Sequence, residues 1–515
     1  MKKLPIGIQN FEKIRLDGYF YLDKTKEIFN LISTGSYYFL SRPRRFGKSL
    51  LLSTIKAYYE GKRELFKGLA IDSLTDDWTP RPILYLDLNT GNYNSCDSLT
   101  HIINDTLTNW ESLYGSAPTE VSPELRFKGI VRRACRQTGH RVVILVDEYD
   151  KPMLQAIGNE SLQEAYRDTL KAFYSVLKTQ DEFIKFAMLT GVTKFGKVSV
   201  FSDLNNLMDI SMDARYHDIC GVNQQELEEN FSEDIAELAA AQGMTCGECG
   251  QELRRMYDGY HFKENTPGLY NPFSLFNTFA KGEFGSYWFE TGTPTYLVKL
   301  LKLHKYELNE MASMVTSGDV LNSVDAASTD PIPVIYQSGY LTIKGYDRRF
   351  KNYTLGFPNE EVEKGFVKYL MPFYTPVSES KSAFEISNFV KEVESGDTDA
   401  FFTRLKGFFA GIPYELQRDI EVHYQNVLFI VFRLMGFYTE VEYRTAAGRA
   451  DLVLKTDRYI YVMEFKLNGT AEQAIAQINS KGYAVPFAAD KREVIKVGVG
   501  FSKTEKTIES WIVQQ

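Results

Sequence analysis

The chain has 515 residues, enough for about three domains of ordinary size, so a single small binding module is excluded. Apolar residues make up 44% and charged residues 24%, a balance that excludes a disordered chain. Net charge is −8, so contact with nucleic acid has to come from a local basic groove and not from the surface as a whole.

The opening MKKLPIGIQNFEK lacks the apolar stretch of a secretory signal, and no later segment approaches the ~20 apolar residues of a membrane span. The expectation is a cytoplasmic protein with no membrane partner. Five cysteines, Cys96, Cys135, Cys220, Cys246 and Cys249, form an odd, scattered set that suits reduced thiols. Cys246 and Cys249 make one C-x-x-C pair, without the second pair or nearby histidines that a structural zinc requires.

Three blocks follow from the patterning. Residues 1–220 alternate short apolar strands with helix-length segments, as a parallel α/β sheet covered on both faces does; strands are predicted at Tyr37–Ser41, Ile83–Asn89, Val142–Val146 and Ile184–Thr190. Residues 221–375 read as helices, such as Gln224–Gln242, and a β-hairpin formed by YLTI and YTLGF, a winged-helix-like region. TPVSESKS near Thr375 has the composition of a linker. Residues 376–515 form a further α/β unit.

Directly after the first predicted strand stands Arg42-Pro43-Arg44-Arg45-Phe46-Gly47-Lys48-Ser49, followed at once by a helix-forming run. This is most of a P-loop, in which backbone N–H groups surround phosphate oxygens at a helix N-terminus. Lys48 would reach the β and γ phosphates and Ser49 would bind Mg²⁺; Arg44, Arg45, Phe46 and Gly47 complete the loop. The first glycine of the motif falls at Arg42, and these letters alone suit a basic surface turn equally well. A second element shifts the balance: RVVILVDEYD reads as a buried strand ending in Asp147 and Glu148. A strand of this kind is expected beside the P-loop strand, with Asp147 on the Mg²⁺ shell and Glu148 polarising the attacking water. Thr190, closing the strand of IKFAMLTGVTKF, is a candidate sensor of the γ-phosphate, although a threonine at a strand end commonly has a structural role.

YFLSRPRRFGKSLLLSTIKAYYEG, VVILVDEYDKP, MLTGVTKFGKVSVFSDLNNL and YNPFSLFN closely resemble the bacterial AAA-ATPase-like proteins that carry a C-terminal PD-(D/E)XK nuclease domain. The likeness spans almost the whole chain. In that family the P-loop also resembles R-P-R-R-F-G-K-S, so arginine at position 42 is a family trait. The resemblance implies bound ATP, a lid after the ATPase core and a nuclease domain at the C-terminus; ATPases of this type often assemble, so a homo-oligomer is an open expectation.

From Glu415 to Phe501 the predicted order is helix, three strands, helix and a last strand, VIKVGVGF, the order of the PD-(D/E)XK core. Asp451 opens the second strand, and Glu464 and Lys466 form E-x-K on the third. Two apart, Glu464 and Lys466 share a face. If the loop near Thr456–Tyr459 has an even number of residues, paired positions sum to an odd number, and Asp451 with Glu464 sums to 915; a three-residue loop would split them. Convergent carboxylates suit Mg²⁺ or Mn²⁺, with Lys466 orienting or helping to deprotonate water for cleavage of a phosphodiester, DNA being the expected substrate. Glu421, in a setting that resembles the family's, is a candidate extra metal ligand or a solvated helix residue. Arg449 either binds phosphate or braces its strand, and Gln477 and Tyr483 either support the site, touch substrate or are simply exposed. Two readings stay open: an ATP-driven switch coupled to a nuclease, and a regulatory nucleotide-binding module whose C-terminal domain binds nucleic acid or a partner without cleaving.

Overall fold

A computed structural model describes residues 2–195, 206–290, 297–298, 300–301, 306–308, 311, 314–321, 330–409, 420–436, 438–443, 451–502, 504 and 507–515. The chain divides into two compact units, one of residues 1–300 and 313–361, the other of residues 301–312 and 362–515. Among the described residues no helix is long and apolar enough to cross a membrane.

In the first unit, β1 (Tyr37–Ser41), β2 (Ile83–Asp87), β3 (Val142–Asp147), β4 (Ile184–Gly191) and β5 (Met208–Asp209) form a wholly parallel sheet in the order β2-β3-β4-β1-β5. All six residues of β3 are buried, the consequence of a continuous apolar run with cover on both faces. Helices Cys96–Tyr114, Pro123–Thr138 and Glu160–Thr179 share one core with the sheet through residues such as Leu99, Phe127 and Leu170. The strand order corrects one expectation. β4 stands between β1 and β3, so the strand ending in Asp147 is not the neighbour of the P-loop strand. Apolar periodicity identifies strands and is blind to their order; IKFAMLTG, apolar on both faces, is suited to the central place it takes.

The first unit continues with helices Gln224–Gln242, Cys246–Tyr257 and Pro272–Lys281, whose shared core also receives Leu4, Ile6, Phe20 and Leu22 from the N-terminal segment. Next come β6 (Met314–Ser317), β7 (Thr342–Asp347) and β8 (Asn352–Gly356), an antiparallel sheet ordered β6-β8-β7. β7 and β8 are the hairpin read from the sequence, and β6 is an edge strand that the sequence reading lacks.

The second unit centres on a mixed sheet of β9 (Glu440–Tyr443), β10 (Leu452–Lys455), β11 (Tyr459–Lys466), β12 (Glu493–Ser502) and β13 (Thr507–Gln514), ordered β13-β12-β11-β10-β9. Only β11 and β12 run parallel, joined by the helix Ala471–Lys481. Alternation along β11 sorts its residues: Ile460 and Val462 pack with Ile475 and Ile478 of that helix, while Tyr461 donates its hydroxyl to Val393 O at 2.7 Å and Phe465 faces Phe432, both on helices of the opposite layer. The sequence reading ended at β12. β13 was missed because its burial does not alternate cleanly and its pairing shifts register at Gly500/Phe501. Of the segment read as a linker, residues from 379 onward already belong to the helix Glu379–Ser395.

Candidate active sites

The phosphate loop joins β1 to the helix Lys48–Tyr59. Gly47 at the helix entrance has φ 102° and Arg45 has φ 65°; with open space around the Gly47 α-carbon, conformation and not room is what calls for glycine there. Phe46 anchors the loop, its ring 4.8 Å from Tyr260 and 5.4 Å from Phe262, and Trp288 Nε1 donates to Arg44 O at 2.9 Å. Arg42, where the motif has glycine, is 1% exposed. Its guanidinium donates to the carbonyls of Ser41, Ser211, Tyr216 and His217 and lies 4.0 Å from the Phe262 ring. Burial lowers its pKa to about 10, so it remains a cation at neutral pH and fastens the loop to residues 211–217.

Arg44, Arg45, Gly47, Lys48, Ser49 and Glu148 line a cavity of about 460 Å³, a size that holds a nucleotide-sized ligand. Lys48 is nearly buried; its ammonium donates to Arg42 O at 3.1 Å and Pro43 O at 3.3 Å and pairs with Glu148 at 3.3 Å. Glu148 itself has φ 52°, an uncommon conformation for a non-glycine residue, which turns it out of the strand end into the cavity. Asp147 lies behind the wall at 3% exposure. It accepts hydrogen bonds from Ser49 and, at 2.7 Å, from Thr190 Oγ1, while burial and then the Glu148 charge raise its pKa.

Thr190 is fully buried and outside the cavity lining, so its contact is to Asp147 and not to the cavity. This contact exists because β4 separates β1 from β3. Asp150, buried as well, accepts from the amides of Val192 and Thr193 and from Thr193 Oγ1 at 2.7 Å; burial pushes its pKa up to about 6. Among the lining residues that sequence reasoning missed are Pro5–Gln9 of the N-terminal segment, Phe273 with Phe276, and Lys151, whose ammonium donates to Asn89 Oδ1 at 2.9 Å. D-E-Y-D-K gave a signal for Lys151, four residues past the strand end; nothing local marks the others. An apolar recess of about 90 Å³ lined by Phe46, Tyr21, Leu51 and Ile219 shares Gly47, Leu50, Pro272 and Phe276 with the larger cavity.

In the second unit, Leu452 pairs with Met463 and Lys455 with Ile460, a sum of 915 throughout. Thr456 N donates to Tyr459 O at 2.8 Å, which leaves the two-residue turn Asp457-Arg458. β10 begins at Leu452, one residue later than the sequence reading had it, and the even turn's register carried one position past Leu452–Met463 sets Asp451 against Glu464. Asp451 Oδ2 accepts the Phe465 amide at 3.0 Å, and burial followed by the Glu464 charge raises its pKa to about 6. Glu464 is 2% exposed. Its Oε1 accepts from Lys466 Nζ at 2.9 Å and from Gln477 Nε2, and its Oε2 is buried with no hydrogen-bond partner among the described residues.

Gln477 therefore joins the site directly: its Oε1 accepts Lys466 Nζ at 2.6 Å and its amide reaches Tyr483 Oη at 3.4 Å. Gly498 and Gly500 make this approach feasible. In register with Glu464 and Lys466, they face the same helix, where a Cβ at Gly498 would stand 2.5 Å from Ala471 O and one at Gly500 2.8 Å from Ala471 N. V-G-V-G was the sequence signal for this close packing. Arg449 lies outside the described residues, and Glu421 is described only by its backbone place on the helix Ile420–Met435.

The donor set suits a hard divalent cation: carboxylate oxygens, one of them buried and unpartnered, with no group of three or more His, Cys, Asp or Glu among the described residues. Two carboxylates are what a strongly hydrated Mg²⁺ commonly takes from protein.

Residues 5–201 match the model of a predicted AAA-ATPase family, described as AAA-ATPase-like, and residues 419–511 match that of the PD-(D/E)XK nuclease superfamily. The chain is also similar to the uncharacterized protein in the vnfD 5′ region of Azotobacter chroococcum mcd 1, at 36% identity over 524 residues covering 100% of this chain and 99% of that one. The chain belongs to the AAA-ATPase-like proteins that carry a C-terminal PD-(D/E)XK nuclease domain.

Proposed function

We propose that the protein binds and hydrolyses ATP in its first unit and cleaves phosphodiester bonds of nucleic acid, DNA in the first instance, with Mg²⁺ in its second. The observation that carries the nuclease reading is the approach of Asp451, just before β10, to the Glu464–Phe465 stretch of β11, with Lys466 bonded to Glu464 and Glu464 Oε2 without a hydrogen-bond partner among the described residues. A bound Mg²⁺ or Mn²⁺ supplies charge neutralisation at the phosphate and lowers the pKa of water. Asp451 and Glu464 hold the cation. Lys466 turns from Glu464 and Gln477 toward the attacking water, and Gln477, itself steadied by Tyr483, keeps the Glu464 carboxylate oriented.

In the ATP site, the cations of Arg44, Arg45, Lys48 and Lys151 face the phosphates, and Ser49 with Asp147 holds the Mg²⁺ shell. Thr190 positions the Asp147 carboxylate. Lys48, whose ammonium meets two carbonyls and Glu148, binds the β and γ phosphates, and Glu148 polarises the attacking water. The apolar recess next to Gly47 receives the base. Nucleotide state is the natural gate for cleavage, since one chain carries both sites; the protein works in the cytoplasm, as single chains or assembled copies.

The experiment is cleavage of linear, circular and single-stranded DNA by the purified chain with Mg²⁺, with and without ATP. Wild type is expected to cut and Asp451→Ala to fail. Equal cutting by the variant rejects the nuclease reading, and a wild-type chain that binds DNA without cutting it favours the regulatory alternative.

A further inference from the structure

The hairpin of β7 and β8 closes through Asp347-Arg348-Arg349-Phe350-Lys351, all five exposed, with Phe350 keeping 63% of its surface in solvent. This tip is held in one shape. Asp347 Oδ1 accepts the amides of Arg349 at 2.8 Å and Phe350 at 3.2 Å, and Lys351 takes φ 55°. Behind it the rings of Tyr346 and Tyr353 pack 4.7 Å apart across the strands, and the Tyr353 hydroxyl donates to Glu264 at 3.0 Å. Arg348, Arg349 and Lys351 form no ion pair among the described residues; the one interaction of their charges is Arg349 over the Phe350 ring at 5.0 Å.

Three cations without an ion-pair partner among the described residues thus surround one large exposed ring, on a chain whose net charge is −8. The combination is complementary to a polyanion with apolar faces between its charges. Nucleic acid has that pattern: phosphates along the edge for the cations, and within the groove base edges and the steps between stacked bases for the ring. A narrow turn fits a groove, whereas a lipid surface calls for a broader apolar face than a single phenyl ring. A rigid tip also loses little entropy on docking.

We propose that the β7–β8 tip is a nucleic-acid contact of the first unit, in which Arg348, Arg349 and Lys351 bind the phosphates of duplex DNA and Phe350 enters the groove against the bases. The inference rests on the proposed function for its class of partner and adds a contact remote in sequence from the cleavage residues.

The test is binding of a short fluorescent duplex to the full chain in chelator, over a range of salt. Replacing Arg348, Arg349 and Lys351 together by alanine is expected to weaken binding by about tenfold or more and to reduce the log–log salt slope by about 2 to 3. Arg348→Lys, Arg349→Lys and Lys351→Arg combined should retain both affinity and slope. Phe350→Ala should weaken binding by about fivefold or more with the slope unchanged. Thermal unfolding of each variant, expected to match wild type because the residues are exposed, separates these losses from misfolding. Unchanged affinity and slope in the triple alanine variant overturn the proposal, as does lost binding to anionic lipid vesicles with duplex affinity intact. Cleavage by Asp451→Ala keeps the two claims apart: if that variant fails to cut while the tip variants bind as wild type, this inference falls and the nuclease reading stands; if it cuts normally while the tip variants lose affinity, the reverse holds.

Discussion

The two sites are shaped by different parts of the chain. Around Lys48 the main chain does the shaping: Gly47, Arg45 and Glu148 all take positive φ, and carbonyls of Arg42 and Pro43 hold the ammonium in place. Around Glu464 the backbone is ordinary strand, and the site arises from side-chain alternation, an even turn and a helix that comes close over glycines. A loop site of the first kind depends on a few special conformations; a sheet site of the second kind depends on register. The two should therefore fail under different substitutions.

The largest effect is expected at the sheet site. Asp451→Ala or Lys466→Ala should lower Mg²⁺-dependent DNA cleavage by about 10³-fold, the scale of several kcal/mol of transition-state stabilisation. Residual cleavage near wild-type rate in a gel or fluorescence assay would remove these residues from the chemistry. Next in size, Lys48→Ala should lower ATP hydrolysis by about 10²-fold through loss of a charge aimed at the phosphates. Phosphate release at the wild-type rate would break the loop half of the comparison.

The glycines give a sharper contrast. Gly500→Ala brings a methyl group to 2.8 Å from Ala471 N, and overpacking of this kind costs about 1 to 3 kcal/mol. Denaturant unfolding should show the loss, accompanied by weaker cleavage as Gln477 is pushed off Glu464; an unaltered midpoint would mean that the helix has room to move.

Proton competition follows in size. Asp451 has its pKa raised to about 6, so it is protonated below that pH and ionised above it. Apparent Mg²⁺ affinity should therefore rise about tenfold per pH unit up to that point and level off above it. For the metal-free chain the sign is opposite: a raised carboxylate pKa contributes stability below the ordinary aspartate value of 3.8 that is lost as pH rises through about 6. Titrations at several pH values that give one flat affinity would contradict this. The smallest effect is assigned to Thr190→Val, which removes the 2.7 Å hydrogen bond to Asp147 and should slow ATP hydrolysis by about fivefold, on the scale of the ~1 kcal/mol net contribution of one typical hydrogen bond.

Much of this architecture was legible in the sequence because both sites sit at the ends of strongly apolar strands. RPRRFGKS after a strand, VVILVDE, GRAD and EFK each combine a local pattern with chemistry, and the register of Asp451 with Glu464 needed only the count of the turn. Strand order was not legible: no local signal tells that β4 enters between β1 and β3, and the role of Thr190 follows from that order alone. The same limit hid Pro5–Gln9, which reaches the cavity through packing on the helices after residue 220. Arg42 looked like a lost glycine; its burial against four carbonyls depends on residues about 170 positions away in the chain, beyond any window of periodicity. β13 escaped because an edge strand with a register shift does not alternate.

The account turns on whether the carboxylates of Asp451 and Glu464 together hold a divalent cation. Titration of nucleotide-free protein with Mn²⁺, followed by electron paramagnetic resonance of the free ion, measures that directly in wild type and in Glu464→Gln. One bound Mn²⁺ in wild type and none at the same concentration in the variant is the predicted result; equal binding by the two would contradict the site.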